Sequence, residues 1–167
     1  DFVEQAIARG AAAVLYEAGR DASTGEVASR AVPGLRALAG AVAAEYYSRP
    51  SERLEVVAVT GTNGKTSCTQ WIARGLAALG RRAAVIGTLG SGIVPADDST
   101  AELDSFGLTT PDAVALQRML AAFADAGVEV VAMEASSIGL DQGRLAGTKI
   151  GIAVFTNLAR DHLDYHG

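Results

Sequence analysis

Residues 54–80 read LEVVAVTGTNGKTSCTQWIARGLAALG, and no other stretch restricts the fold as tightly. LEVVAVT is a continuous apolar run of strand length, TGTNGK is a glycine-bearing turn, and the residues after it place Ile72, Leu76 and Leu79 at helical spacing before Gly80, a helix stop. A strand, a tight turn and a helix in direct succession make a phosphate-binding loop. Gly61 and Gly64 let the backbone approach a polyphosphate, and the N–H groups of the loop and the helix start point at its oxygens. Lys65 neutralises the terminal phosphates, and the Thr66 hydroxyl is placed to ligate Mg2+. The general pattern has a first glycine five residues before the glycine of Gly-Lys; Val59 stands there. A tight strand-to-helix turn with a surface lysine is the competing reading.

Three more apolar runs follow, AAVIGT (83–88), VEVVAME (128–134) and KIGIAVFTN (149–157), and helical patterns separate the first run from the second and the second from the third. Apolar strands alternating with helices predict an α/β fold whose mostly parallel sheet is covered on both faces. Upstream, the pattern predicts a helix over 1–9, a short buried strand over 11–17 and a loop over 18–33 with room for one short strand. A helix over 34–48 follows, with Leu35, Leu38, Val42 and Tyr46 on one face and Arg49-Pro50 ending it. The domain boundary is expected near residue 50, dividing the chain into 1–50 and 51–167. The chain opens without Met inside an amphipathic pattern and stops at DHLDYHG, so a longer parent chain is expected.

Composition narrows the function classes. An apolar content of 49% over 167 residues suffices for a buried core. The net charge of -5, with 14 Lys and Arg scattered along the chain, argues against a nucleic-acid surface. The single cysteine, Cys68, cannot form an internal disulfide, in agreement with a reducing compartment. Apolar runs such as ALAGAVAA (37–44) fall well short of the roughly 20 residues a membrane helix needs.

Further candidates sit where strands end. Glu134 closes an apolar strand, at the sheet edge where open α/β folds bind ligands, and suits a hard divalent cation; a solvated glutamate is the alternative. Asn157, Arg160, Asp161, His162, Asp164 and His166 follow the last strand, and the two histidines are the only ones in the chain. His162 reads as a metal ligand, a group titrating near neutral pH, or a surface residue. Thr110, Pro111 and Asp112 read as a helix start, with Thr110 as N-cap and Leu116, Met119, Leu120 and Phe123 as the buried face. Gln142 and Arg144 could hold a carboxylate, although a loop arginine is commonly just exposed.

TGTNGKTS, LTTPD, MEASSIGLDQGR and FTNLARDHLDYHG, in this order and spacing, resemble the Mur ligase family, and within it the members that add a diamino acid in the third step. The likeness is close over residues 55–167 and looser over the first 50. It implies the end of an N-terminal UDP-binding domain followed by the first half of a P-loop-type central domain. It further implies that Gly61, Thr62, Asn63, Gly64, Lys65, Thr66 and Ser67 bind ATP, and that Thr66, Glu134 and His162 serve Mg2+. Lys65 and His162 would then be catalytic, while Thr109, Thr110, Ser136, Gln142 and Arg144 would contact a UDP-N-acetylmuramoyl dipeptide. The expected partners are that dipeptide and a diamino acid, meso-diaminopimelate or lysine, in a cytoplasmic enzyme of peptidoglycan precursor synthesis. Neither a nucleic-acid partner nor membrane insertion is expected. The amine site would lie outside these residues, so the chain alone is expected to be inactive. Family members often have His where Ile138 stands. Two other readings stay open: a ligase of the folylpolyglutamate synthase type, which usually carries GTNGKGS in place of GTNGKTS, and a P-loop kinase or NTPase.

Overall fold

The computed structural model describes residues 2–20, 24–97 and 99–167. Residue 1 of the expected first helix, residues 21–23 of the expected loop and residue 98 lie outside the described residues. The chain divides into two compact units, Asp1–Ala39 and Gly40–Gly167.

In the first unit, helix α1 (Phe2–Ala8) leads into a parallel pair, β1 (Ala13–Glu17) and β2 (Ala28–Val32). The Glu17 carboxylate accepts from the Gly34 N–H at 2.7 Å and ties down the turn after β2. Helix α2 (Leu35–Tyr46) then runs from the first unit into the second. Its buried side is not the expected one: Gly40, Ala43 and Ala44 are buried, whereas Leu38, Val42 and Tyr46 are exposed. Close approach explains the difference. A Cβ on Gly40 would lie 2.7 Å from the Ala146 carbonyl carbon, so only the smallest residues fit that face.

The second unit holds a five-stranded sheet in the order β5-β4-β6-β3-β7. Its strands are β3 (Glu55–Thr60), β4 (Ala83–Gly87), β5 (Gly90–Ile93), β6 (Val130–Glu134) and β7 (Ile152–Phe155). All neighbours pair in parallel except β4 and β5, which form a hairpin across Thr88-Leu89. The α/β fold with a mostly parallel sheet is therefore as expected, and all four expected strands are present. β5 was not foreseen, because GSGI lacks an apolar run. It exists because glycine permits contact: a Cβ on Gly90 would meet the Asp104 carbonyl oxygen at 2.8 Å.

Successive residues of a strand point to opposite faces, and the core divides accordingly. Val56, Ala58, Ile86, Val131 and Met133 pack with Leu116 and Leu120 of helix α4 (Ala113–Asp125). Ala83, Val85 and Ala132 pack on the other face with Ala73 and Ala77 of helix α3 (Lys65–Ala78). Small residues let α3 lie close to the sheet. Ile72 and Leu76 flank that contact as expected, but Leu79 is 80% exposed, beyond the sheet's reach. The start of α4 also differs. Asp112 is its N-cap and accepts from the Val114 and Ala115 N–H groups at 3.0 Å each, while Thr110 is buried beneath the loop after β6. Among the described residues no helix is long and apolar enough to cross a membrane.

Candidate functional site

The carboxyl ends of β3, β4, β6 and β7 converge because β6 inserts between β3 and β4 while β7 adds on the other side of β3. That is the edge at which open α/β sheets bind ligands. β3 runs into the glycine loop, and α3 begins directly behind it at Gly64, which takes a φ of 84° and offers no side-chain cap. The first-turn N–H groups of Lys65, Thr66 and Ser67 thus start a helix without side-chain capping, an arrangement suited to an anion. The Lys65 ammonium folds back over the loop, donating to the Gly61 carbonyl at 2.6 Å and the Thr62 carbonyl at 3.0 Å.

The apex of the loop is held by the segment after β7. Thr62 N–H donates to the Asn157 carbonyl at 3.0 Å, Asn63 N–H donates to Asn157 Oδ1 at 3.0 Å, and Asn157 Nδ2 donates back to the Asn63 carbonyl at 3.1 Å. The Thr156 hydroxyl adds a bond to the same carbonyl at 2.7 Å, and Ala159 N–H donates to the Thr62 hydroxyl at 2.9 Å. Gly61 is required on two counts: its φ is 125°, and a Cβ there would meet Thr156 Oγ1 and, at 2.8 Å, the Asn157 carbonyl oxygen. With the N–H groups of Thr62 and Asn63 committed to Asn157, an anion held here would draw on the donors of the helix start.

Glu134 ends β6 opposite Val59 of β3, and its side chain is 1% exposed. Its Oε1 accepts from the Thr66 hydroxyl and the Thr88 N–H, each at 2.9 Å, and its Oε2 lies 3.2 Å from Thr88 Oγ1. Among the described residues no Lys, Arg or His forms an ion pair with it. A buried carboxylate needs a cation or a proton as well as hydrogen bonds, so this donor set fits a hard divalent ion. Among the described residues no group of three or more His, Cys, Asp or Glu side chains gathers around one point. Such a site would therefore draw on hydroxyl, phosphate and water oxygens.

A cavity of about 150 Å³ lies beside the loop, lined by Gly61, Lys65, Ser136, Phe155, Asp161 and His162 among others. His162 reaches it from a left-handed conformation with φ 51°, its Nε2 3.7 Å from Asp161 Oδ2. A larger cavity of about 630 Å³ lies at the opposite end of the strands, around Arg53, Glu129 and Lys149, and holds none of the residues expected to act.

The remaining candidates form a second network. Thr110 donates to the Glu134 carbonyl and accepts from the Ser136 N–H, both at 3.0 Å, so its hydroxyl fixes the turn after β6. Ser136 caps the short helix α5 (Ser137–Asp141) by accepting from Gly139 N–H. Arg144 donates to the Thr110 carbonyl at 2.7 Å and, through Nη2, to Gln142 Oε1 at 2.7 Å. Tyr165 and His166 of helix α6 (Leu163–His166) reach Asp141 Oδ2 at 2.7 Å and Ser137 Oγ at 3.0 Å. Thr88, Thr156, Tyr165 and the structural part played by Asn157 escaped the sequence reading. Thr88 and Asn157 did carry a signal: each is the polar residue that closes one of the apolar runs.

Residues 59–167 match the Mur ligase middle domain. The chain belongs to the Mur ligase family. It is 51% identical over 168 residues to a UDP-N-acetylmuramoyl-L-alanyl-D-glutamate--2,6-diaminopimelate ligase of Janthinobacterium sp. (strain Marseille). It is 50% identical over 167 residues to the protein of that name from Pseudomonas aeruginosa. Each match covers 99% of this chain and 33% of the relative. A solved structure of an enzyme of the same description superposes with a TM-score of 0.78 at 38% identity, over 99% of this chain and 32% of that one. This Mur ligase chain thus spans about a third of the length of the relatives it matches.

Proposed function

We propose that the chain is part of an ATP-dependent ligase that joins 2,6-diaminopimelate to UDP-N-acetylmuramoyl-L-alanyl-D-glutamate in the making of peptidoglycan precursors in the cytoplasm. Residues 1–50 would end the UDP-substrate-binding domain, and residues 51–167 would open the central ligase domain. The choice of diaminopimelate over lysine rests on the names of the relatives. The observation that carries the reading is Glu134, a buried carboxylate with no basic partner among the described residues, bonded to Thr66 in the first turn behind the glycine loop.

ATP and Mg2+ would supply, respectively, the phosphoryl group that turns the poorly electrophilic side-chain carboxylate of D-glutamate into an acyl phosphate, and positive charge against its oxygens. Lys65 would exchange its two loop carbonyls for phosphate oxygens, and the N–H groups at the start of α3 would hold the remaining charge in place. Residues Gly61 to Ser67 would form this cradle, with Thr62 and Asn63 acting through their bonds to the segment after β7. Thr66 and Glu134 would hold the metal from one side, and His162, which lines the cavity, would serve it from the other. Thr109, Ser136, Gln142 and Arg144 would contact the dipeptide, and Thr110 would act by fixing Ser136. Most of the acceleration then comes from positioning and fixed charge. With the full-length enzyme, phosphate release should require ATP, Mg2+, the UDP-dipeptide and diaminopimelate together and yield the amide. Phosphate release without the dipeptide, or a phosphorylated acceptor as the end product, overturns the reading.

A further inference from the structure

Glu134 is held from two sides, and only the Thr66 side belongs to the helix start behind the glycine loop. The other side is Thr88, in the hairpin turn between β4 and β5, whose N–H reaches Oε1 at 2.9 Å and whose hydroxyl lies 3.2 Å from Oε2. The preceding residue, Gly87, makes room for this contact, since a Cβ there would run into the Glu134 carboxylate. Thr88 Oγ1 also lies 3.1 Å from Thr109 Oγ1. A hydroxyl has one proton, and an ionised carboxylate has none to give. The arrangement that satisfies all three groups is Thr109 donating to Thr88 and Thr88 donating to Glu134. Bonds in such a chain polarise one another, so what happens to the first proton is felt by the last acceptor.

We propose that Thr88 is a positioning residue that couples the UDP-substrate side of the site to the divalent-cation side. The proposal rests on the reading above, in which Glu134 serves the metal and Thr109 touches the dipeptide. A polar group of the substrate that takes up the Thr109 proton weakens the Thr88 donation to Oε2. More negative charge then stays on Glu134, and the cation binds more tightly. By linkage the cation must tighten the substrate by the same factor.

The test is a binding titration on the full-length enzyme with Mn2+ as the probe, followed by electron paramagnetic resonance, with ADP present and the UDP-dipeptide present or absent. The dipeptide should tighten Mn2+ in the parent by about fivefold, the lower end of usual couplings between sites. In Thr88→Val, which keeps shape and backbone N–H but loses the hydroxyl, the ratio should fall to about one, and Thr88→Ser should restore it. Thr109→Val, which breaks the chain at its far end and leaves every bond to Glu134 in place, should also abolish the ratio. Unchanged coupling in a folded Thr88→Val, or no coupling in the parent, overturns the proposal. Glu134→Gln separates this failure from that of the underlying reading: if Mn2+ binds it as well as the parent, the metal assignment itself is wrong. If Glu134→Gln loses Mn2+ while Thr88→Val keeps the ratio, only the coupling fails.

Discussion

The side chain of Asn157 reproduces one rung of a β-ladder against Asn63: Oδ1 accepts from its N–H at 3.0 Å, and Nδ2 donates to its carbonyl at 3.1 Å. A single side chain, two residues beyond the end of β7, therefore sets the height of the glycine loop. Asn157→Ala leaves the Asn63 N–H to water and its carbonyl to the Thr156 hydroxyl alone, and should raise the dissociation constant of ADP about tenfold, the effect of losing roughly one well-made hydrogen bond. Asn157→Asp keeps the acceptor, loses the donor and brings a negative charge toward the phosphates, so it should be worse. Equal ADP affinity in all three proteins, measured by calorimetry, would refute the role.

Lys65 carries the only ammonium in the loop, and its bonds to the Gly61 and Thr62 carbonyls keep it poised over the mouth. Lys65→Ala should reduce kcat by about 10²-fold, as removal of one electrostatic stabiliser typically does, with little change in thermal unfolding. Single-turnover rates are the measurement. Activity within a few-fold of the parent would mean that the loop is merely a turn.

Gly87 sits where a methyl group would lie 2.8 Å from Glu134 Cδ. Gly87→Ala should displace the carboxylate from Thr66 and Thr88 and destabilise the fold by about 1–3 kcal/mol, the usual range for overpacking. It should also raise the Mg2+ concentration needed for half-maximal activity. An unchanged Mg2+ requirement together with an unchanged melting temperature would show that Glu134 has room to spare.

Glu129 lies outside the site and gives a pH signature of the fold. The Arg82 N–H at 3.0 Å and the Arg81 guanidinium at 2.7 Å hold its carboxyl below its ordinary value of 4.5. A depressed folded pKa means that the stabilisation is full above the ordinary carboxylate range, wanes as pH falls through it and is gone below the folded value. Glu129→Gln should therefore melt slightly earlier than the parent at pH 7, with the gap shrinking in high salt and closing in acid. Melting curves over that range decide; a gap that widens toward acid would contradict the pairing.

Local chemistry was enough to read the parallel strands, the glycine loop, the helix behind it and the candidacy of Glu134, because each depends on residue type and short-range spacing. Continuous apolar runs such as VVAM have one stable place, inside a sheet covered on both faces, and Gly64-Lys65-Thr66 after a strand can be read without knowing any neighbour. Neighbours across the sheet are a different matter. Only the strand order sets Glu134 beside Thr66, and only the hairpin after β4 brings the Thr88 N–H to the same carboxylate. Thr110 looked like a helix cap because capping is a local pattern, but the loop after β6 claims its hydroxyl and leaves Asp112 to cap α4. Helical periodicity located α2 and α3, yet the buried faces went to Gly40, Ala43, Thr69, Ala73 and Ala77, because the approach of the 146–147 turn to α2 and of the sheet to α3 decides which side chains fit, and those distances are a property of the assembled fold.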